Sequence, residues 1–151
     1  MPQLSLSLQI ASELANIPTK AQFKKWAKAA LRVDTEVTIR VVDEDEGRAL
    51  NSQFRGKDYA TNVLTFSLSE APHLMGDIVL CAAIVATEAI AQNKSLEAHF
   101  AHLTVHGILH LHGYDHQIDE QAGLMESIEV TTLQKLMLTT PIPTFPLAWG
   151  R

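Results

Sequence analysis

The chain has 151 residues, is 46% hydrophobic and carries a formal net charge of −5. That length and apolar content suit one globular domain with a real core, and the acidic balance argues against a broad nucleic-acid-binding surface. A single cysteine, Cys81, excludes an internal disulfide and fits a reducing compartment.

The charge is unevenly spread. Residues 1–57 hold nine Lys/Arg against seven Asp/Glu, whereas residues 58–151 hold three against ten. A polyanion would therefore meet the N-terminal half, helped by any cation bound in the acidic half. Leu4, Leu6, Leu8 and Ile10 alternate with polar residues, which predicts a half-buried strand rather than the apolar core of a signal peptide. No apolar run approaches the roughly 18 residues needed to cross a bilayer. The expectation is a cytoplasmic protein without membrane contact.

Thr19 can cap a helix running to about Arg32, with Phe23, Trp26, Ala27, Ala30 and Leu31 on its apolar face. Lys20, Lys24, Lys25 and Lys28 decorate the other face. Such lysines can meet phosphate but are more commonly just solvated. A second strand covers Glu36 to Val42. Asp43 with Glu46 then has the pattern of a capping box, opening a helix through Ala49, Leu50 and Phe54 that stops near Gly56. Val63–Leu68 and Asp77–Cys81 read as antiparallel neighbours joined by a loop containing an exposed His73. Cys81, in an apolar run, is expected to be buried.

Helices follow from Ala82 to about Gln92, from Ser95 as cap to His112, and from about Asp119 to Leu138. Leu96, Phe100, Leu103, Gly107 and Ile108 should face the core from the second of these, and Leu124, Ile128, Leu133 and Leu136 from the third. Residues 140–151 form a proline-spaced tail. The predicted class is α+β: a small mixed sheet of about four strands packed by about five helices, in a single domain.

The richest segment is His106-Gly-Ile-Leu-His110-Leu-His-Gly113-Tyr-Asp115-His116. On a helix, His106 and His110 share a face, with roughly 5–6 Å between their Cβ atoms. Gly113 supplies a left-handed residue that ends the helix, so the chain can bring His116 back toward the same point. Three neutral imidazoles make a zinc site with one position left for water. The spacing is that of metzincin proteases, but their general base, a Glu after the first His, is here Gly107. A metal site without that base argues for hydrolysis of some other bond.

Asp115 and Asp77 are candidate acceptors for the outer ring nitrogens. His112 points elsewhere on the helix, as an outer or exposed residue. His99 and His102 read as solvated or core-edge histidines, although His102 could line the cleft. Arg55 is a candidate phosphate clamp because guanidinium grips phosphate through two parallel hydrogen bonds. A surface salt bridge to Asp58 explains it equally well.

The run from His106 to His116 matches H-G-x-L-H-L-x-G-Y-D-H at every specified place, and with it the chain resembles the YbeY family of endoribonucleases. Two more segments are similar to that family: Asn51-Ser-Gln-Phe54-Arg55-Gly-Lys-Asp58-Tyr-Ala-Thr61-Asn62-Val63-Leu64-Thr65-Phe66 and Gly76-Asp77-Ile78-Val79. The resemblance implies one zinc ion held by His106, His110 and His116, with Arg55 and His110 as candidate catalytic residues. It implies single-strand-specific cleavage of RNA in rRNA maturation, at the 3′ end of the small-subunit rRNA, and in ribosome quality control. The partners would be rRNA, the small ribosomal subunit and its associated proteins. The family commonly has Asp where this chain has Asn62, and Ser where it has Thr65. If that Asp acts as a catalytic carboxylate, activity here is in doubt; if it only shapes the turn into the strand, Asn serves as well. Two alternatives stay open: a metallohydrolase of peptide or amide bonds, and a non-catalytic ribosome-assembly factor with structural zinc.

Overall fold

The computed structural model describes residues 2–70, 72–114 and 119–136. Among them the elements run β1 (Leu4–Ala11), α1 (Lys20–Ala29), β2 (Thr35–Val42), α2 (Glu44–Arg55), β3 (Val63–Ser69), β4 (Leu74–Cys81), α3 (Ala82–Ala91), α4 (Leu96–Leu111) and α5 (Asp119–Lys135). The expected α+β class is what the chain adopts, with four strands and five helices among the described residues. The proline-spaced tail lies outside them.

The sheet has the order β1-β2-β4-β3. β1, β2 and β4 are parallel, and β3 lies antiparallel to β4 at one edge, as expected for a hairpin. Strand alternation divides the side chains between two cores. Leu6, Val37, Ile39, Val41, Val63, Ile78 and Leu80 face α1 and α4. Val42, Leu64, Val79 and Cys81 face the other way, toward Leu50 of α2. α2 and α4 therefore cover opposite faces of the sheet. Ile10, expected to continue the inner row of β1, is instead exposed.

α4 is buried on every side from Ala98 to Leu109. The sheet lies on one flank, and α1, α3 and α5 pack around the rest. That burial explains why its sequence carries so little polar contrast, since a helix apolar all round belongs in an interior. Two glycines set the distance between α4 and the sheet. A Cβ on Gly107 would sit 2.9 Å from Ile78 Cδ1, and one on Gly76 would sit 2.6 Å from Leu111 Cδ2 and 2.8 Å from the Phe66 carbonyl oxygen. β4 begins at Leu74 rather than Asp77, since its pairing with β2 starts at Leu74 opposite Thr35.

Helix ends follow local chemistry. Thr19 and Gln22 form a reciprocal capping box on α1, and the Ser95 hydroxyl accepts the Ala98 N–H at 3.0 Å. The expected box at Asp43 does not form. Its carboxylate accepts from the Ser12 hydroxyl at the end of β1 instead, while Glu46 makes a two-point pair with Arg40 at 2.6 and 2.9 Å. Long-range partners win over the local cap. Two apolar stripes also differ from expectation. α2 buries Gly47 and Asn51 with Leu50 half-buried, while Ala49 and Phe54 are exposed. In α5, Leu124 is exposed, while Leu133, Ile128 and Leu136 pack on the core as expected, joined by the buried Met125, Glu129 and Thr132.

Candidate metal centre

α4 carries His106 and His110 one turn apart, with ring centroids 6.3 Å apart and planes inclined by 35°. His106 is buried; His110 lies at the rim of a cleft of about 550 Å³ that also includes Thr65, Ser67, Glu70 and Gly113. Each ring is held by its Nδ1. Glu129 Oε2 of α5 lies 2.8 Å from Nδ1 of His106, and Thr65 Oγ1 of β3 lies 2.9 Å from Nδ1 of His110. A metal ligand of this type coordinates through one nitrogen while the other donates to an oxygen acceptor. With both Nδ1 atoms engaged, Nε2 is the nitrogen through which each ring would bind a metal. The donor chemistry thus fits a borderline-soft dication such as zinc.

The end of α4 fits the same arrangement. Gly113 has φ +100°, its N–H reaches the His110 carbonyl at 3.0 Å, and the Tyr114 N–H reaches the Leu109 carbonyl at 3.2 Å. These two bonds make a Schellman turn, which reverses the chain just past the second histidine. His116 and Asp115 lie outside the described residues. Among the described residues no group of three or more His, Cys, Asp or Glu is arranged to hold a metal, so the structure brings together two of the three expected ligands.

A buried polar network backs the site. His102 Nε2 lies 2.9 Å from Glu129 Oε1, and Lys94 Nζ lies 3.1 Å from His102 Nδ1. His99 Nε2 lies 2.9 Å from Glu88 Oε1, which also accepts from Asn62 Nδ2 at 3.0 Å. His99 and His102 are each 1% exposed, so they are core residues and not the solvated or edge histidines that sequence suggests. Burial lowers both pKa values, that of His102 to about 4, and so keeps the rings neutral. Burial likewise lowers Lys94 to about 8, against the pull of Glu88 and Glu129. It pushes the Glu129 carboxyl up, opposed by the His102 hydrogen bond.

Among the described residues Asp77 is not an acceptor for His106 or His110. It lines a groove on the α2 face with Arg40, Phe54 and Phe66, because residue parity in β4 turns it away from α4. His112 is half-buried, with Nδ1 2.7 Å from the Ile108 carbonyl and Nε2 accepting the Arg32 N–H at 3.2 Å. His73 is exposed as expected, and Cys81 is buried. Arg55 is exposed in the last turn of α2 and is not among the residues lining the His110 cleft. Asp58 pairs with Arg48, at 2.9 Å, instead of Arg55.

Asn62 is 2% exposed, and its Oδ1 accepts the Val63 N–H at 2.7 Å. Its amide therefore shapes the entry to β3 and donates to Glu88. Sequence reasoning missed Glu129, Glu88 and Lys94. Glu129 was detectable in principle as a carboxylate midway between Met125 and Leu133 on one helical stripe.

The family model described as Endoribonuclease YbeY matches residues 7–137. The chain belongs to the YbeY endoribonuclease family. A YbeY relative from Methylobacillus flagellatus is 62% identical over 141 residues, spanning 93% of this chain and 95% of the relative. One from Nitrosomonas eutropha is 52% identical, spanning 90% of this chain and 96% of the relative. A solution structure of a Thermotoga maritima protein has a TM-score of 0.55 at 30% identity, covering 86% of this chain and 91% of that one. Both curated relatives carry the name Endoribonuclease YbeY.

Proposed function

We propose that this YbeY-family chain is a zinc-dependent, single-strand-specific endoribonuclease. It acts in maturation of the small-subunit rRNA 3′ end and in ribosome quality control, in the cytoplasm, with the small subunit as its partner. The observation that carries this reading is the pair His106 and His110, one turn apart, with each Nδ1 engaged by an oxygen partner. His116, two residues past the Schellman turn, would complete a three-imidazole set. A zinc ion there would polarise a phosphoryl oxygen and lower the pKa of a bound water.

The protein's own groups do the positioning. Thr65 and Glu129 fix the imidazole planes, and the open cleft beside His110 gives an RNA strand access to them. Arg55, exposed at the end of α2 and outside the His110 cleft, would hold a phosphate of the bound RNA strand. Gly107 explains why the protease-type base is missing. A side chain there would run into Ile78 of the sheet, so the position cannot hold a carboxylate at the cleft. This disfavours the peptide-bond alternative.

The test uses zinc-loaded full-length chain on a single-stranded RNA spanning the mature small-subunit 3′ end, with a duplex control. Cleavage of the single strand, its loss on chelation, and its loss in His110→Ala are expected. Arg55→Ala should cut at a reduced rate with zinc content unchanged. Full cleavage by His110→Ala would overturn the assignment. Zinc removal that unfolds the chain, with no RNA cut under any condition, would favour a structural metal in an assembly factor.

A further inference from the structure

Lys94, His102, Glu129 and His106 form a line of hydrogen bonds across three elements: the turn before α4, α4 itself and α5. The successive separations are 3.1, 2.9 and 2.8 Å. His102 and Glu129 are each 1% exposed, so no bulk water dilutes the line. Proton directions follow from the donor inventory. An ammonium group only donates, so His102 Nδ1 accepts from Lys94. The neutral ring of His102 then carries its proton on Nε2 and donates to Glu129 Oε1. Oε2 is left to take the Nδ1 proton of His106.

We propose that Glu129 is a positioning residue for His106, accepting the Nδ1 proton that His106 keeps as a metal ligand, and that Lys94, by fixing the His102 proton on Nε2, anchors the other Glu129 oxygen and so the carboxylate's position. The inference rests on the reading of His106 as a ligand. A ring that coordinates through Nε2 must keep its proton on Nδ1, and that proton needs an acceptor. A glutamine in place of Glu129 exposes the logic. Its amide has one accepting and one donating end. His102, pinned by Lys94, claims the accepting oxygen, and the NH₂ group is then driven against Nδ1 of His106. That favours the proton on Nε2, where it blocks coordination. Replacing Lys94 as well frees the His102 ring to exchange its proton position, and the amide can turn over.

The experiment measures zinc affinity by chelator competition on full-length wild type, Glu129→Gln, Lys94→Met and the double variant. Ring-proton NMR of His106 is recorded on each without metal. Glu129→Gln should weaken zinc binding by about 10–100-fold, the range for loss of such an outer partner. The double variant should regain part of that loss, a recovery that a purely structural role for Glu129 would not produce. Unchanged affinity in Glu129→Gln, or no recovery in the double variant, overturns the proposal. Should Glu129→Gln fail to fold, Lys94→Met decides: weaker zinc binding with a shifted His106 Nδ1 proton supports it, and no change in either overturns it. A wild-type chain that takes up no zinc refutes the metal reading instead. The Nδ1 proton of metal-free His106 then decides the orientation half alone: its presence supports that half and its absence overturns it.

Discussion

Replacing Gly107 with alanine sets two known effects against each other. Alanine is favoured over glycine inside a helix by about 1 kcal/mol. Against that, the new methyl would lie 2.9 Å from Ile78 Cδ1, 3.2 Å from Cγ2 and 3.3 Å from Cγ1. Ile78 is fully buried, so the three atoms cannot all move away. Overpacking of this kind costs about 1–3 kcal/mol. The clash wins, and Gly107→Ala should destabilise by about 0–2 kcal/mol in urea unfolding. Ile78→Val removes the nearest atom and alone costs about 0.5–1.5 kcal/mol. Combined, the two should cost less than their sum by about 1 kcal/mol, since neighbours in contact do not add. A shift of α4 off the sheet would also stretch the Thr65–His110 contact, so zinc affinity should fall in Gly107→Ala and recover in the double variant. A Gly107→Ala protein stabilised by the full helix-propensity gain, with no coupling to Ile78, would refute the packing account of this glycine.

Thr65→Val deletes the oxygen facing His110 Nδ1 and should weaken zinc binding by about 10–100-fold, whereas Thr65→Ser keeps the hydroxyl and should bind as wild type in the same competition assay. Asn62→Asp would replace an N–H donor to Glu88 with a second carboxylate, costing about 1–3 kcal/mol at pH 7. One acid of that pair would have a raised pKa, so the deficit should shrink as pH falls; a deficit that grows on acidification would be inconsistent. Stability of the wild type should fall as pH drops from about 6.5 toward 4. His99 and His102 are held neutral in the fold with depressed pKa values, His102 at about 4, but take up protons when unfolded. The slope approaches about 1.4 kcal/mol per pH unit per histidine, partly offset by Glu129, whose raised pKa works in the opposite sense. Urea titrations between pH 7 and 4 read this directly, and a flat profile would contradict it.

Much of the fold is legible in the sequence because its signals are local. Strict alternation in β1 and β2, the Thr19 and Ser95 caps and the glycine at 113 each act within a few residues. Errors fall where a distant partner decides. Asp43 looks like a cap until Ser12 arrives from β1. Leu124 looks like an inner residue until α5 turns Glu129 toward two histidines. α4 shows the same division. The spacing of His106 and His110 is a property of one helix and can be read directly. Their oxygen partners come from β3 and α5, and no periodicity reveals those. His99 and His102 resemble surface histidines because the carboxylates that make their burial tolerable lie 11 and 27 residues away. Asp77 fails as an acceptor for a reason that the strand pattern already held, since Ile78, not Asp77, has the parity that faces α4.

On this reading the imidazole nitrogens of His106, His110 and His116 would together hold one ion. X-ray absorption at the zinc edge of the loaded full-length chain tests it most directly. Three imidazole nitrogens at about 2.0–2.1 Å, with one oxygen ligand, are predicted, and the imidazole signal should diminish in His110→Ala. An unchanged spectrum in that variant, or a shell without imidazole, would contradict the account.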